Sequence, residues 1–509
     1  MLSKCYSFGL SGLDGFPVEI EVDITRGLPT FVIVGLPDNA VKESRERVRS
    51  AIKNSGYTYP ADRITVSLAP ADIKKEGPLF DLAIALGILA ATEQIDKEKL
   101  KDFVILGELA LDGTVRLVNG SLPLALSISK TRFHSAMLPQ DNATEAALVD
   151  NIDIYPVKNL QDVVNFLHNN DSIRSVKINA KEILSQSRHY EVDFAEVKGQ
   201  LHVKRALEVA VAGGHNVLLI GPPGSGKTML AQRIPTILPD MNLAEALETT
   251  KIHSILGMVP HKTGIIANRP FRAPHHTCSD IALVGGGSNP KPGEISLAHN
   301  GVLFLDELPE FHRDVLEALR QPLEDGFVTV SRAAKSLNFP AKFMLVAAMN
   351  PCPCGFFTDP RKQCRCTPTK IHQYLSKISG PLLDRIDLHI EVPSLAYKDL
   401  ACEQAAEASA VIKSRINLAR KIQQERFANN IHSNSQMNHR QIKKYCAINE
   451  EAKQLIKMAI NELGFSARAY DKILKISRTI ADLAGSSEIR SEHISEAIQY
   501  RSLDRNLWF

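Results

Sequence analysis

Alternating hydrophobic and polar positions predict strands in the first third of the chain. Val18, Ile20, Val22 and Ile24 alternate with polar residues, which is the period of a half-buried strand. Similar patterns predict strands over 30–36 and 64–68, a helix over 38–53 capped by Asp38 or Asn39, a buried helix over 80–91, and a hairpin over 103–118 with Asp112-Gly113 at its turn. This region is therefore predicted to mix helices and strands.

Three short apolar runs in the middle of the chain are each followed by a glycine-rich or polar stretch. The run 216–220 precedes a glycine-rich stretch, the run 301–305 precedes Asp306-Glu307, and the run 343–348 precedes Asn350. Short apolar runs bounded by turn residues are typical of buried strands. The later part of the chain predicts a helical region, with helices near 401–427, 438–446, 450–463, 466–483 and 491–503.

The glycine-rich stretch has the composition of a phosphate-binding loop. It precedes a helix-like run and comprises Gly221, Pro222, Pro223, Gly224, Ser225, Gly226, Lys227 and Thr228. Glycines allow the backbone to approach closely, and the N–H groups at the start of a helix favour anions. Lys227 can reach the β- and γ-phosphates of ATP, and the Thr228 hydroxyl can hold Mg²⁺. The alternative is a plain glycine-rich turn, which the complete GxxxxGKT spacing disfavours.

Asp306, Glu307 and Asn350 are predicted to complete a catalytic nucleotide site. Asp306 would hold Mg²⁺ through water, and Glu307 would polarise the attacking water. Asn350 can hydrogen-bond the γ-phosphate or that water. A capped strand end would also explain the two carboxylates, and a turn before Pro351 would explain the asparagine. The order of the segments favours the catalytic interpretation.

Two arginines are candidates for contacts with the transferred phosphate. Arg385 lies between the apolar pair Leu382-Leu383 and the next apolar run, and Arg468 lies near the start of a predicted helix. A neighbouring subunit can supply an arginine to the charge that develops on the γ-phosphoryl group. We expect Arg385 to be such a finger and Arg468 to report the phosphate state to the helical region. Surface salt bridges are the alternative for both.

These segments occur in the order found in AAA+ ATPases, and longer motifs narrow the resemblance. The stretches 269–276, 285–287, 292–301 and 350–355 resemble the magnesium-chelatase-like branch. Within that branch the chain resembles the ComM (YifB) family over essentially its whole length. The resemblance implies a hexameric ring ATPase that acts as a DNA helicase and drives branch migration during homologous recombination in natural transformation.

The resemblance also implies a multidomain α/β fold. Its parts would be a Lon-protease-like α+β domain of the ribosomal-S5-domain-2 type over 1–175, a linker over 176–195, an AAA+ P-loop core over 196–393 with helix-2 and pre-sensor-1 hairpin insertions, and a C-terminal helical lid over 394–509. The stretch 74–79 resembles the active-site segment of Lon-type proteases, in which a serine follows Gly-Pro. Leu79 stands in that place here and has no nucleophile, so peptidase chemistry is not expected.

Two insertions are candidates for DNA-contacting loops in the pore of the ring. Residues 277–294 are rich in glycine and proline and resemble the helix-2 insertion, while residues 326–342 predict a hairpin with a basic tip. We expect Lys291, Arg332 and Lys335 to contact DNA phosphates without reading the base sequence. An exposed hairpin with ordinary surface charge is the alternative.

Four cysteines are candidate ligands of a structural Zn²⁺ ion. They form two Cys-x-Cys pairs: Cys352, Cys354, Cys364 and Cys366. Four thiolates can close a tetrahedral zinc site, and free reduced thiols or a redox pair are the alternatives. His275-His276 could suggest a metal or phosphate contact, but packing within a loop is the favoured interpretation.

The composition sets limits on partners and location. The 509 residues are 44% apolar and 23% charged with a net charge of +3, so any DNA contact must come from local patches. The sequence has no run of eighteen apolar residues and no signal-peptide pattern, so we expect a cytoplasmic protein without a membrane partner. A recombinase is a candidate partner of the DNA motor. The alternative function is a magnesium-chelatase-type motor subunit that remodels a partner protein.

Overall fold

The computed structural model of the chain describes residues 1–168, 173–287, 290–332, 335–357, 359, 362–394, 406–427, 433–463 and 466–501, with only the backbone described at 332, 335, 463 and 467. The described strands are β1 (Leu2–Ser11), β2 (Asp14–Thr25), β3 (Thr30–Val34), β4 (Arg63–Ala69), β5 (Phe103–Ile105), β6 (Glu108–Leu109), β7 (Val115–Arg116), β8 (Ser135–Pro139), β9 (Asp153–Val157), β10 (Val217–Ile220), β11 (Phe271–Arg272), β12 (Gly285–Gly286), β13 (Lys291–Pro292), β14 (Val302–Leu305), β15 (Phe327–Arg332), β16 (Lys335–Pro340), β17 (Met344–Met349) and β18 (Leu388–Glu391).

The described α-helices are α1 (Asn39–Asn54), α2 (Asp81–Ala91), α3 (Ser121–Ile128), α4 (Gln140–Ala146), α5 (Leu160–His168), α6 (Ala180–Gln186), α7 (Leu201–Gly213), α8 (Lys227–Ile237), α9 (Leu243–Ile255), α10 (Asp280–Val284), α11 (Glu294–Leu297), α12 (Arg313–Ala318), α13 (Arg320–Asp325), α14 (Pro368–Leu375), α15 (Gly380–Leu383), α16 (Ser409–Phe427), α17 (His439–Tyr445), α18 (Glu450–Leu463), α19 (Ala467–Leu483) and α20 (Ser491–Gln499). Short 3₁₀ helices lie at Pro78–Phe80, Lys99–Asp102, Phe194–Glu196, Leu308–Glu310 and Asn434–Gln436. Among the helices described, none combines the length and the apolarity needed to cross a bilayer.

The chain divides into two compact units, each built from two separate stretches of sequence. The first unit contains Met1–Arg188 and Asn242–Ala267, and the second contains His189–Met241 and Asn268–Phe509. Residues 242–267 fall within the segment predicted as the ATPase core, but they pack with the first unit. The domain limits inferred from the sequence otherwise remain predictions.

A mixed seven-stranded sheet organises the first unit, in the order β3-β4-β2-β1-β5-β8-β9. β1, β2 and β4 pair antiparallel, and the remaining neighbours pair in parallel. The turn Gly12-Leu13 joins β1 to β2, and Gly12 has a φ of +63°, the sign that a two-residue hairpin turn requires. The hairpin predicted over 103–118 is shorter than expected, because β6 and β7 form it while β5 joins the large sheet.

The helix α2 forms the centre of the first unit. All its residues are buried, which confirms the buried helix predicted over 80–91. Gly87 lets the helix approach the sheet, since a Cβ there would lie 2.7 Å from the Val22 Cγ2 atom. Leu79, just before the helix, is only 9% exposed. The position compared with the Lon-type serine therefore holds a packed apolar side chain.

One buried charge lies at the start of α2. The Asp81 carboxylate accepts hydrogen bonds from Arg47 Nε at 2.6 Å and from Arg47 Nη2 at 3.1 Å, and a third from the Leu109 N–H at 3.3 Å. Burial nevertheless raises the pKa of Asp81 to about 6, against the opposing effect of these bonds. The ion pair with Arg47 therefore compensates only part of the cost of burying the carboxylate.

We expect Arg47→Gln to destabilise the chain more at pH 7.5 than at pH 5. Removing one partner of a buried ion pair typically costs about 3–5 kcal/mol. Protonation of Asp81 relieves that cost, because its folded-state pKa lies above the ordinary value and rises further without the guanidinium. The folded chain then binds the proton before the unfolded chain does, so the variant gains stability as the pH falls through its folded-state pKa, which lies above the value of about 6 found with Arg47 present.

Thermal unfolding at the two pH values measures this difference. Arg45→Gln is the matched control, because Arg45 pairs with the exposed Glu46 at the surface, where ion pairs contribute little. If Arg47→Gln lost the same stability at both pH values, the raised pKa of the buried Asp81 carboxylate would be contradicted.

Five parallel strands organise the second unit, in the order β11-β14-β17-β10-β18. β10 comes first in the sequence but lies between β17 and β18, so the strand order reverses beside it. In open α/β sheets, ligands bind at the carboxyl ends of the strands at such a reversal. The loops that follow β10, β14 and β17 therefore meet at one edge.

The helices α16 to α20 complete the second unit and confirm the helical region predicted after residue 394. α16 packs against α7 and α8, and α19 packs against α7, so one apolar core runs from the sheet into these helices. Ser466 caps α19 by accepting a hydrogen bond from the Ala469 N–H at 3.3 Å. The predicted starts and ends at 401–405 and 502–503 lie outside the described residues.

Candidate nucleotide-binding site

The loop of residues 221–228 joins the end of β10 to the start of α8. Gly224 and Gly226 have φ values of +75° and +87°, and a Cβ at either position would meet open space. The Ser225 side chain is buried, and its hydroxyl has no hydrogen-bond partner among the described residues. A buried unpartnered hydroxyl beside the N–H groups that begin α8 fits the phosphate oxygens of a nucleotide.

The Lys227 side chain lies across this loop. Its Nζ donates hydrogen bonds to the carbonyl oxygens of Gly221 at 2.7 Å and Pro222 at 2.9 Å, and to Asn350 Oδ1 at 3.2 Å. Burial lowers the pKa of Lys227, while Asp306 and Glu307 act in the opposite direction. All three acceptors are uncharged, so a phosphate oxygen would be a stronger partner for the ammonium group.

Asn350 comes just after the apolar run 343–348, which forms a strand as predicted. It directly follows β17, which is the neighbour of β10 in the sheet, and its contact with Lys227 joins the ends of the two strands. The amide and the ammonium group therefore lie together at one end of the sheet.

Thr228 and Asp306 form the part of the site that fits Mg²⁺. The Thr228 hydroxyl donates a hydrogen bond to Asp306 Oδ2 at 2.7 Å. A hydroxyl and a carboxylate are hard oxygen ligands of the kind that Mg²⁺ prefers, and they lie beside the phosphate loop. The bound ion would neutralise charge on the phosphates. Asp306 follows β14, so the parallel sheet brings the two side chains together.

Glu307 is held in an unusual conformation. Its φ is +53°, in the left-handed region that residues other than glycine rarely adopt, and its N–H donates to Asp306 Oδ1 at 2.9 Å. Its Oε2 atom lies 3.1 Å from His276 Nδ1. Sequence reasoning missed this contact, because nothing in the local pattern shows that β11, which precedes His276, pairs with β14.

Arg385 and Arg468 form ion pairs within the same chain. Arg385 Nη1 donates to the Pro381 carbonyl oxygen at 2.6 Å, and its Nη2 pairs with Glu324. Arg468 Nη1 lies 3.2 Å from Asp384 Oδ2. Among the described contacts, neither arginine reaches the phosphate loop or the carboxylates of this site. Their predicted catalytic roles therefore remain proposals.

The two candidate DNA-contacting segments form hairpins, of which the second was predicted. Lys291 is exposed on β13, which pairs with β12. β15 and β16 pair from Phe327 opposite Pro340 to Arg332 opposite Lys335. The side chains of Arg332 and Lys335 and the two residues between them lie outside the described part of the chain.

The four clustered cysteines meet in space, with all Sγ atoms within 4.8 Å of one another. The Sγ of Cys352 lies 3.3 Å from Cys354 and 3.7 Å from Cys364, whose Sγ lies 3.6 Å from that of Cys354. Four ligands of tetrahedral Zn²⁺ with Zn–S distances of ~2.3 Å are separated by roughly 3.8 Å. These distances fit a zinc site better than a disulfide.

The cysteine cluster lies against the phosphate loop. A Cβ at Gly355 would lie 2.5 Å from the Pro223 Cδ atom, so the two loops are in close contact there. Backbone N–H groups of Arg365 and Phe356 lower the pKa of the Cys354 thiol to about 6, whereas burial raises the pKa of Cys352 to about 12. A thiol with a lowered pKa is readily available as a thiolate ligand.

The chain matches three family models in succession. Residues 20–142 match the model described as subunit ChlI of Mg-chelatase, residues 193–400 match magnesium chelatase, subunit ChlI, and residues 406–501 match its C-terminal part. Together these matches extend from the first unit through the phosphate loop to the last described helix.

Individual relatives extend the similarity over nearly the whole chain. The chain is 47% identical to Competence protein ComM of Haemophilus influenzae, with 99% of this chain and 98% of that protein covered. It is 43% identical to the uncharacterized protein YifB of Escherichia coli, with the same shares covered. The chloroplastic magnesium-chelatase subunit ChlI of Nicotiana tabacum is 23% identical, with 64% of this chain and 76% of that protein covered.

Proposed function

Because the chain belongs to the ComM (YifB) family of magnesium-chelatase-like AAA+ proteins, we propose that it is an ATP-driven DNA motor that promotes branch migration during recombination in natural transformation. The observation that carries this proposal is the nucleotide site, in which Lys227 Nζ donates to Asn350 Oδ1 and the Thr228 hydroxyl donates to Asp306 Oδ2. The competence protein among its relatives supports DNA as the substrate. The site of action would be the cytoplasm.

Each residue of this site would have a separate role in ATP hydrolysis. Lys227 would exchange its carbonyl acceptors for phosphate oxygens, and Thr228 and Asp306 would hold Mg²⁺. Glu307 would accept a proton from the attacking water. Asn350, which now accepts from Lys227, would be released to hydrogen-bond the γ-phosphate.

Assembly into a ring, a homo-hexamer, would complete this site with Arg385 of the neighbouring subunit. The Arg468–Asp384 pair is solvent-exposed and contributes little to stability, so it can open at little cost. We propose that α16 to α20 act as the lid through which Arg468 senses the nucleotide. The first unit would be the Lon-like domain, without peptidase activity.

The test of this function is whether forked DNA stimulates ATP hydrolysis and is unwound in the process. We expect Arg332→Ala with Lys335→Ala to weaken DNA binding and to reduce the salt dependence of log K by about two, one for each lost phosphate contact. Lys42→Ala with Arg45→Ala on the exposed surface of α1 is the matched control. DNA unwinding that survives the first pair of changes unaltered would exclude the hairpin as a DNA contact.

We propose that Zn²⁺ bound by the four clustered cysteines fixes the loop that follows Asn350. Metal analysis should find about one zinc per chain. Cys354→Ser with Cys364→Ser should abolish zinc binding and lower ATP hydrolysis, because the released loop no longer supports Pro223. Cys278→Ser, at a cysteine outside the cluster, is the control. The proposal would be refuted if the protein contained no zinc, had all four thiols of the cluster titratable and kept full activity.

A magnesium-chelatase-type motor subunit that remodels a partner protein is the second candidate. The three chelatase family models and the Nicotiana tabacum relative favour it. The two functions differ in what accelerates hydrolysis, which is DNA in the first case and a partner protein in the second. For the DNA motor, a recombinase is a candidate partner.

A further inference from the structure

The segment that carries Arg385 lies at the opposite edge of the sheet from its own phosphate loop. β18 pairs in parallel with β10, with Leu388 opposite Val217, and the phosphate loop follows the other end of β10. Because parallel strands run in the same direction, the residues just before β18 lie at the amino edge of the sheet. The loop lies at the carboxyl edge, so the nucleotide of another chain is the one that Arg385 can serve.

Lys472 of α19 makes two contacts with this segment. Its Nζ donates to the Ile386 carbonyl oxygen at 3.0 Å and lies 3.1 Å from Asp387 Oδ1. Only 14% of the Lys472 side chain and 15% of the Asp387 side chain are exposed. The Arg468–Asp384 pair, which also joins α19 to the segment, is solvent-exposed. Because solvent screens a buried pair less than an exposed one, Lys472 is the stronger of the two attachments.

The Asp387 carboxylate has a second partner, His215, which precedes β10. His215 Nδ1 lies 3.1 Å from Asp387 Oδ2, and its Nε2 lies 3.0 Å from the Thr479 hydroxyl of α19. Burial alone would raise the pKa of Asp387, but Lys472 and His215 together lower it below its ordinary value. The carboxylate is therefore charged at neutral pH, and α19 holds it directly through Lys472 and indirectly through Thr479.

The sheet holds the same segment from the other side. Asn216 Nδ2 donates to the Arg385 carbonyl oxygen at 3.0 Å, and Asn216 Oδ1 accepts from the Leu345 N–H of β17 at 2.9 Å. The contacts of Lys472 begin at the next residue, Ile386. The backbone of Arg385 is thus fixed between the sheet and α19, and both attachments determine where its side chain leaves the edge of the sheet.

We propose that Lys472 is a positioning residue that holds Ile386 and Asp387 so that Arg385 reaches the nucleotide of the neighbouring subunit. This inference rests on the proposed function, since it requires a nucleotide site that two subunits share. Among the described contacts, Lys472 reaches neither the phosphate loop nor the carboxylates of its own nucleotide site. Its loss should therefore impair hydrolysis in the next subunit and leave the site of its own chain intact.

The first measurement is kcat for ATP hydrolysis by the assembled full chain. Lys472→Met should lower kcat by about 10²-fold, the loss that a misplacement of about 1 Å can cause, with KM for ATP unchanged. Lys472→Met with Asp387→Asn leaves no unpaired carboxylate buried and should show the same loss. Lys413→Met is the control and should keep the wild-type kcat, because Lys413 of α16 also pairs with an aspartate, Asp240 at 2.6 Å, away from the segment. Thermal unfolding shows whether each variant is folded, and the double variant decides the test if Lys472→Met alone is not.

The second measurement locates the defect by mixing Lys472→Met with each of two inactive variants. Glu307→Gln chains have an intact Arg385 and should restore hydrolysis in the sites of Lys472→Met chains. Arg385→Ala chains should restore none, because no interface then has a correctly placed arginine. Damage to the nucleotide site of the Lys472→Met chain itself would give the opposite pattern, with recovery only in the mixture with Arg385→Ala.

The mixture of Glu307→Gln with Arg385→Ala is the reference that separates this inference from the proposed function. If the reference mixture recovers no hydrolysis, the shared site is overturned and the role of Lys472 with it. If the reference recovers, an unchanged kcat in Lys472→Met, or the opposite pattern on mixing, overturns the role of Lys472 alone.

Discussion

Glu307→Gln is expected to lower kcat for ATP hydrolysis by about 10²–10⁴-fold, the usual contribution of a positioned general base. Glutamine keeps the size of the side chain and can still contact His276, but it cannot take a proton from water. ATP binding should be unchanged, because Lys227 and the phosphate loop are intact. Nucleotide affinity and single-turnover hydrolysis, measured on the same sample, separate binding from chemistry.

Glu310→Gln is the matched control for this experiment. Glu310 is an exposed carboxylate three residues further along the chain, and it pairs with Lys377 at 3.2 Å. Its replacement removes the same charge without touching the nucleotide site. Hydrolysis that persists in Glu307→Gln at the rate of Glu310→Gln would show that another group activates the water.

Arg385→Ala is expected to lower hydrolysis in the assembled state by about 10³-fold or more, the range found for arginine fingers. The Arg385 side chain is 17% exposed and pairs with the exposed Glu324 of its own chain, so in the proposed assembly it would exchange this carboxylate for a phosphate of the neighbouring subunit. Arg116→Ala, which removes an exposed arginine paired with Glu108, is the control. The measurement is kcat at protein concentrations at which assembly is complete.

Mixing two inactive variants tests whether the site is shared between subunits. In assemblies that contain both Glu307→Gln and Arg385→Ala chains, some interfaces combine an intact Glu307 with an intact Arg385. Hydrolysis should recover at those interfaces if the two residues act from different chains. No recovery on mixing, with assembly verified, would mean that both residues must lie in one chain, and the shared-site proposal would fail.

The sequence predicted which residues the strand order brings together better than it predicted contacts between individual side chains. Lys227, Thr228, Asp306 and Asn350 lie together because strands β10, β14 and β17 are parallel neighbours, and a short apolar run followed by polar residues reveals such strands. The buried helix α2 was equally predictable, since its residues are apolar nearly all round.

Other features depend on pairings that no local pattern encodes. The contact between His276 and Glu307 requires β11 to lie beside β14, and β11 is only two residues long. The hairpin over 103–118 was misjudged in length for the same reason, because β5 finds a better partner in the large sheet than in the hairpin. The partners of Arg385 and Arg468 within the chain could not be predicted either, because they are distant in the sequence.

The placement of α9 has a consequence for the order in which the protein is made. In the first unit, the buried Glu145 carboxylate accepts from the Leu122 N–H at 3.0 Å and from the Ser254 hydroxyl, and the Ser254 carbonyl accepts from the Gly120 N–H at 2.9 Å. A ribosome must therefore synthesise the phosphate loop before it supplies Ser254. An expressed fragment ending near residue 188 would leave the Gly120 N–H without its acceptor and Glu145 without the Ser254 hydroxyl, so the contacts of the first unit are complete only after residues 242–267 have been made.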